Sequence, residues 1–382
     1  MPDSLVILHS ESSTGWGGQE IRVLTELTWM RRRGHAVGLI VPPRSPLGER
    51  AERADIPVGW IPMPRALDPW AVTRMAKRLR MEGAQVLVTH SSVDAWTGGL
   101  AARLVGVPVV RMRHLSVPLQ SNPLSRAVYT TLCDKIVTTG EAIRTLLVQQ
   151  LGIPPVKVVS VPTGVDLETF HPSRVDCTRI RKELGLKNGT PLLGMIAVLR
   201  SWKGHLVFLQ ALRRLRDKGI DVQAVLVGEG PFRKVVQEAI SCHGLAAYVH
   251  LMGHREDVAD ILSGLDVVVS ASTAAEGISQ ALLQALAMRR PVVASDVGGT
   301  AEVIRPAETG WLVPPGDPET LASALEEALA DRPRAQRLGE TGRKIVEAEY
   351  SLQRMGEQME ELYGSLTWRR GLHAKGLRNR RS

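Results

Sequence analysis

The chain has 382 residues, 44% of them hydrophobic and 23% charged, with a net charge of +9 at pH 7. This length supports two domains of ordinary size, each with its own core, and this balance excludes a disordered chain. Aromatic residues are 4% of the chain, too sparse for a base-stacking nucleic-acid binder, and no apolar run approaches the ~20 residues of a membrane span.

LVILH (5–9) reads as a buried strand, followed by a helix from about Gln19 to Arg33 and the strand HAVGLIV (35–41). Between the first strand and that helix, ESSTGWGGQE sets Gly15, Gly17 and Gly18 in a turn where backbone can approach a ligand closely, or where glycine simply makes the turn. QVLVTH (85–90), VPVVRMRH (107–114), DKIVTT (134–139) and VKVVSVP (156–162) continue the strand series. None alternates with polar residues, as expected of parallel strands covered on both faces. The charged segment 170–190 ends in the turn-forming GLKNGT, and the pattern then restarts. PLLGMIAVL (191–199), VQAVLVG (222–228), AYVHLMG (247–253), LDVVVS (265–270), RPVVAS (290–295) and TGWLVPP (309–315) form the second series. Strand–helix alternation of this kind predicts two doubly wound, Rossmann-like α/β domains, 1–172 and 173–348, facing each other across a cleft. A last helix within 349–382, with Met355, Met359, Leu362 and Leu366 on one apolar face, is expected to pack back on the first domain and end in a basic tail.

The three cysteines, Cys133, Cys177 and Cys242, are scattered with no CxxC pair, so neither a disulfide framework nor a zinc site is expected. The opening MPDSLVILHS has no basic start and too short an apolar stretch for a signal peptide, which predicts a cytoplasmic protein. The positive balance, concentrated partly in Arg31, Arg32, Arg33 and the tail, favours an anionic partner and is compatible with peripheral contact at an anionic inner-membrane face.

Several strand ends carry candidate chemistry. In VLRSWKGH, Arg200 and Lys203 place two cations where they can clamp phosphate oxygens, or stand as surface charges near a helix start. VGEGP holds Gly228 and Gly230, and LMGHRED holds Gly253 and His254, at the ends of the next two strands. In EGISQALLQALA, Ile278, Ala281, Leu282, Ala285 and Leu286 make one apolar helix face, with Gln280 and Gln284 on another. Glu276 and Gly277 precede that helix, whose mouth is expected near Ile278 and Ser279, with free N–H groups able to meet an anion.

Taken together, WGGQE, RMRHLS, VPTGVD, WKGH, VGEGP, MGHREDV, EGISQALLQALAMRRPVVASDVGGTAEVI and TGWLVPPGDPETLA resemble the family 4 glycosyltransferases of the GT-B fold, as found in bacterial lipopolysaccharide and cell-surface glycan synthesis. The resemblance covers nearly the whole chain in order. It implies retaining, metal-independent transfer of a sugar from a nucleotide-sugar to a hydroxyl of a glycan or lipid-linked acceptor, with no cofactor. It implies that Glu276 meets the donor sugar, that Lys203 meets the donor phosphates, and that His114 lies near the reaction centre. Gly17 and Gly18 match the loop that closes on the phosphates, and Arg22 is expected to face the cleft. Two positions depart from the pattern. Gln284 stands where the family carries a second glutamate for the ribose, and Val198 where it carries an arginine, a role Arg200 is then expected to take. Two other readings stand beside this one: a non-catalytic nucleotide-sugar binder, and a Rossmann oxidoreductase or epimerase, whose GxGxxG spacing TGWGGQE does not meet.

Overall fold

A computed structural model describes residues 4–114, 123–274 and 276–378. Leu115 and Ser116 of the RMRHLS motif and the end of the basic tail lie outside the described residues. The chain forms two compact units, one comprising residues 1–162 and 353–382 and the other residues 163–352.

The first unit is built on seven parallel strands, β1 (Val6–Ser10), β2 (Ala36–Val41), β3 (Val58–Trp60), β4 (Val86–Thr89), β5 (Val109–Arg113), β6 (Lys135–Thr138) and β7 (Val158–Ser160). Their order across the sheet is β3-β2-β1-β4-β5-β6-β7. The second unit has six: β8 (Leu192–Ile196), β9 (Gln223–Val227), β10 (Val249–Gly253), β11 (Val267–Ser270), β12 (Val292–Ser295) and β13 (Trp311–Val313), in the order β10-β9-β8-β11-β12-β13. In each sheet the order reverses beside the first strand, at β1/β4 and at β8/β11. Open parallel sheets bind ligands at the carboxyl ends of the strands flanking such a reversal. The inner strands are buried on both faces, as their unalternated apolar sequences require, while the edge strands β3, β7 and β10 are partly exposed. β3 escapes sequence reading because it is a three-residue edge strand lying between Pro57 and Pro62.

The sequence expectation placed the boundary at 172/173, whereas residues 163–172 belong with the second unit. The Val165 N–H donates to the Tyr350 carbonyl and the Leu352 N–H donates to the Val165 carbonyl, both at 2.8 Å. Val165 is buried in the apolar cluster of that unit. Arg343 also donates to the carbonyl of Phe170 at 2.7 Å.

The final helix, Leu352–Arg378, is assigned from residue 353 onward to the first unit. Tyr363 is fully buried and donates its hydroxyl to Glu26 on the helix Gly18–Arg32. Gly356 lies so close to the Trp29 indole that a Cβ there would fall 2.3 Å from the ring. Glu360 accepts from His35 at 2.9 Å and pairs with Arg33 at 3.3 Å. Among the described residues no helix is long and apolar enough to cross a membrane.

The Gly356–Trp29 contact gives a direct check on this packing. Gly356→Val should lower the free energy of unfolding by about 1–3 kcal/mol through overpacking, measured as a reduced urea midpoint. An unchanged midpoint would show that the helix does not depend on this contact.

Candidate active site

In the second unit, β8 runs into the single 3-10 turn Ser201–Lys203, and β11 runs into the loop that carries Ser272 and Glu276. The two strands are hydrogen-bonded neighbours, so their ends meet. Lys203 Nζ donates to Glu276 Oε1 at 2.5 Å, and Ser272 Oγ donates to the same oxygen at 2.9 Å. Glu276 is 5% exposed, so this is a largely desolvated ion pair, whose attraction is offset by the cost of removing both charges from water. Gly204 makes the pair possible. It adopts φ +77°, and a Cβ on it would fall 1.7 Å from the Ala271 carbonyl oxygen. Only glycine lets the two strand ends approach this closely without steric overlap. Lys203, Ser272 and Ser279 also line a small cavity of about 10 Å³, the space of one water.

In the first unit, the corresponding reversal at β1/β4 holds two buried carboxylates. Glu11 follows β1 and accepts from the Ser13 N–H at 2.7 Å, from Ser91 Oγ and from Gln19 Nε2. Asp94 accepts from the backbone N–H groups of His90 (2.7 Å) and Ser91 (2.8 Å) and from Ser12 Oγ (3.1 Å). Burial, with the Asp94 charge adding to it, pushes Glu11 up from the usual carboxylate range to about 7 against the pull of these donors. Burial likewise raises Asp94, opposed first by the Arg111 charge. A cavity of about 320 Å³ opens beside them, lined by Gln19, His90, Ser91, Trp96, Arg111 and His114 among others. His9, His90 and His114 form a contiguous stack, with ring centroids 5.1 Å and 5.4 Å apart.

Residues 16–169 match the family described as Glycosyltransferase Family 4, and residues 176–345 match that described as Glycosyl transferases group 1. The chain belongs to glycosyltransferase family 4. It is similar to the alpha-D-kanosaminyltransferase of Streptomyces kanamyceticus, at 27% identity over 90% of this chain and 98% of that one. It is also similar to the UDP-Gal:alpha-D-GlcNAc-diphosphoundecaprenol alpha-1,3-galactosyltransferase of Escherichia coli, at 26% identity over 69% of this chain and 71% of that one. The structure of Anabaena HepE in complex with UDP and glucose superposes with a TM-score of 0.84 at 21% identity, covering 94% of this chain and 99% of that one. The glycosyltransferase therefore has the GT-B fold.

Of the residues singled out in the glycosyltransferase sequence, the structure brings Lys203 and Glu276 into direct contact, with buried Gly277 and the helix-capping Ser279 beside them. The helix opens at Gln280 rather than at Ile278. Ile278 is a core residue at 5% exposure, wedged against Gly299, where a Cβ would lie 2.8 Å from the Ile278 side chain. Gln280 and Gln284 follow one turn apart, both half-buried, and Gln280 Oε1 is buried without a hydrogen bond among the described residues. Arg200 is exposed and its guanidinium lies 5.2 Å from the centre of the Trp202 ring, a cation–π contact, while Val198 is half-buried. Gly228 is needed for an internal reason: at φ +142° its Cβ would fall 2.0 Å from the Ala197 carbonyl oxygen, so its close approach is to β8's own continuation. Gly253 ends β10, two strands from β8, and His254 after it is exposed.

Gly17 caps the first helix in extended backbone and exposed Gly18 begins it. His114 follows β5 and lines the 320 Å³ cavity. Arg22 does not face a cleft. It is fully buried, donates to the Val161 carbonyl at 2.8 Å and pairs with Glu26 at 3.6 Å. Sequence reading passed over Ser272, Glu11, Asp94, His9 and His90. The available signal was a polar cluster at a strand's carboxyl end, HSE (9–11) and THSS (89–92), on what proved to be neighbouring strands.

Glu11 makes stability depend on pH with a defined sign. Its folded pKa of about 7 exceeds the ordinary 4.5, so the folded state holds the extra proton; that contribution is full below about 4.5 and is lost as pH rises through about 7. The buried histidines, whose values burial lowers, are common to the wild type and Glu11→Gln, so their titration cancels from the difference between the two. Between about pH 4.5 and 7 the wild-type melting temperature should therefore fall relative to that of Glu11→Gln, the difference levelling off above that range. A difference that stays constant across this window would show that Glu11 does not titrate there.

Proposed function

We propose that this glycosyltransferase moves a sugar, with retention of anomeric configuration, from a nucleotide-sugar donor to a hydroxyl of a glycan or lipid-linked acceptor. The observation that carries the reading is the Lys203–Glu276 pair, a cation and a carboxylate held together at the β8/β11 reversal, where Gly204 removes the steric barrier between strand ends. A nucleotide-sugar presents both complementary groups: an anionic diphosphate for the ammonium and sugar hydroxyls for the carboxylate. The HepE complex with UDP and glucose, and the E. coli relative named for transfer from UDP-Gal to a diphosphoundecaprenol-linked sugar, support the same donor and acceptor classes.

In this reading the sugar C1–O bond to the diphosphate breaks heterolytically, and its electron pair leaves with the phosphate. Positive charge develops on the sugar and negative charge on the leaving group. Lys203 stabilises the departing diphosphate, joined by Arg200 swinging from its stack on Trp202 and by the N–H groups that open the helix at Gln280. The acceptor oxygen bonds to C1 on the face the phosphate leaves, and its proton passes to a phosphate oxygen of the leaving group. Glu276 orients the donor sugar through its hydroxyls, and Gln284 meets the ribose with an amide in place of a charge, forgoing a charge-assisted bond. Protein cations carry the diphosphate charge, so no resident cofactor is invoked. The net charge of +9 supports an acceptor presented at an anionic surface, which binding to anionic vesicles at low salt tests directly.

Lys203→Ala should reduce turnover by about 100-fold or more, and Glu276→Ala should abolish transfer; a wild-type rate in either would remove that residue from the site. Gln284→Glu should preserve or tighten donor binding in calorimetry, and weaker binding would contradict the ribose role. Proton NMR of the product should show the donor's anomeric configuration, and inversion would overturn the mechanism. A protein that binds donor yet transfers no sugar to any acceptor and releases no nucleotide would instead be a binding module.

A further inference from the structure

His9, His90 and His114 form a ladder across three adjacent strands of the first unit, and the strand register explains it. His9 on β1 lies opposite Val88 on β4, and Val88 lies opposite Val110 on β5. Residues two apart on a strand share a face. His90 stands two residues beyond Val88, and His114 four beyond Val110, so each histidine sits one step further toward the carboxyl edge on the same face. The steps are closed by direct contacts: His9 Nδ1 to His90 Nε2 at 3.0 Å, and His90 Nδ1 to His114 Nε2 at 3.1 Å. At the inner end, His9 Nε2 is 3.7 Å from Glu26 Oε1, an electrostatic contact. Arg22 pairs with the other Glu26 oxygen at 3.6 Å, and Tyr363 donates to Oε1 from the last helix. His9, Glu26, Arg22 and Tyr363 are all fully buried. At the outer end, His114 lines the 320 Å³ cavity.

Proton counting restricts this ladder. Burial lowers His9 to about 4 and holds His90 and His114 well below their ordinary values, so each ring is neutral near pH 7 and carries one N–H. Each of the two N···N contacts needs one proton and one lone pair. Only two arrangements of three neutral rings satisfy both contacts: every ring protonated on Nε2, or every ring protonated on Nδ1. Any mixture sets two protons or two lone pairs against each other. The second arrangement points the His9 Nε2 lone pair at the Glu26 carboxylate; the first points an N–H at it. Tyr363, which burial and the Glu26 charge keep a protonated phenol, and Arg22 hold that carboxylate in place.

We propose that Glu26 is a positioning residue that, through His9 and His90, fixes His114 as the Nε2–H tautomer, leaving His114 Nδ1 as a hydrogen-bond acceptor. The nitrogen His114 has left to offer a ligand then suits a hydroxyl donor and disfavours an anionic oxygen. Its meaning for catalysis rests on the sugar-transfer reading above, in which His114 would accept from a sugar hydroxyl.

The test is long-range 1H–15N correlation of the full chain labelled in its histidine rings, near pH 7, with peaks assigned by single histidine substitutions. All three rings should show protonated Nε2 and unprotonated Nδ1. In Glu26→Gln, whose amide can face His9 with either end, His114 should lose its single tautomer and gain an Nδ1–H population. In a His90→Phe background, the same Glu26→Gln substitution should leave the His114 signal unmoved. A wild-type His114 protonated on Nδ1 would overturn the proposal, a result needing no variant to fold. A Glu26→Gln effect on His114 equal with and without His90 would overturn it too. If the tautomers are as expected but the protein transfers no sugar, the relay stands and the functional reading fails.

Discussion

All hydrogen-bonded strand pairs in both sheets run parallel, so each strand delivers its last residue to the same edge of its sheet. Residues far apart in sequence are thereby gathered along one line. At the two places where strand order reverses, the connecting helices leave toward opposite faces and the strand ends are left uncovered. Lys203 and Glu276 meet at one such place and Glu11 and Asp94 at the other, though each pair spans more than 70 residues of chain. Parallel sheets must also be covered on both faces, which makes their strands nearly free of polar residues up to the point where the chemistry starts.

Close approach of backbone to backbone sharpens this geometry. Gly204 lies against Ala271 where even a methyl group would overlap the carbonyl oxygen, and the lysine before it reaches the glutamate beyond. A desolvated ion pair of this kind contributes little to stability, because the cost of drying its charges is comparable with their attraction. In the proposed reading, the pair is two groups held ready for a ligand of mixed character. The β1/β4 reversal of the first unit follows a different logic: Glu11 and Asp94 are fully buried and wrapped in hydroxyl and backbone donors.

Much of this was legible in the sequence. Unalternated apolar runs located twelve strands to within a few residues, and the resemblance to family 4 glycosyltransferases pointed to Lys203 and Glu276, which the structure brings into contact. What escaped had physical causes. β3 is too short and too close to proline to show a pattern. Arg22 sits in a helix whose apolar stripe is weak, and its acceptor, the Val161 carbonyl, is 139 residues away. The histidine ladder depends on the relative register of three strands, and periodicity within one strand carries no information about its offset from the next. The domain boundary was displaced by ten residues because the composition change at 170–190 marks where the second sheet's sequence begins, while the backbone pairing of Val165 with Ser351 and its neighbours marks where the chain joins that unit.

The last helix gives the first unit an unusual history during synthesis. Its sheet is translated first, yet Glu26 receives the Tyr363 hydroxyl and Trp29 receives Gly356 only after the whole of the second unit has been made. On a ribosome, where domains fold as they emerge, the unit begun first is the one completed last. Until residue 363 has been made, the carboxylate at the base of the histidine ladder lacks its phenolic donor, so the packing around the first helix is completed only after the second unit has been synthesised.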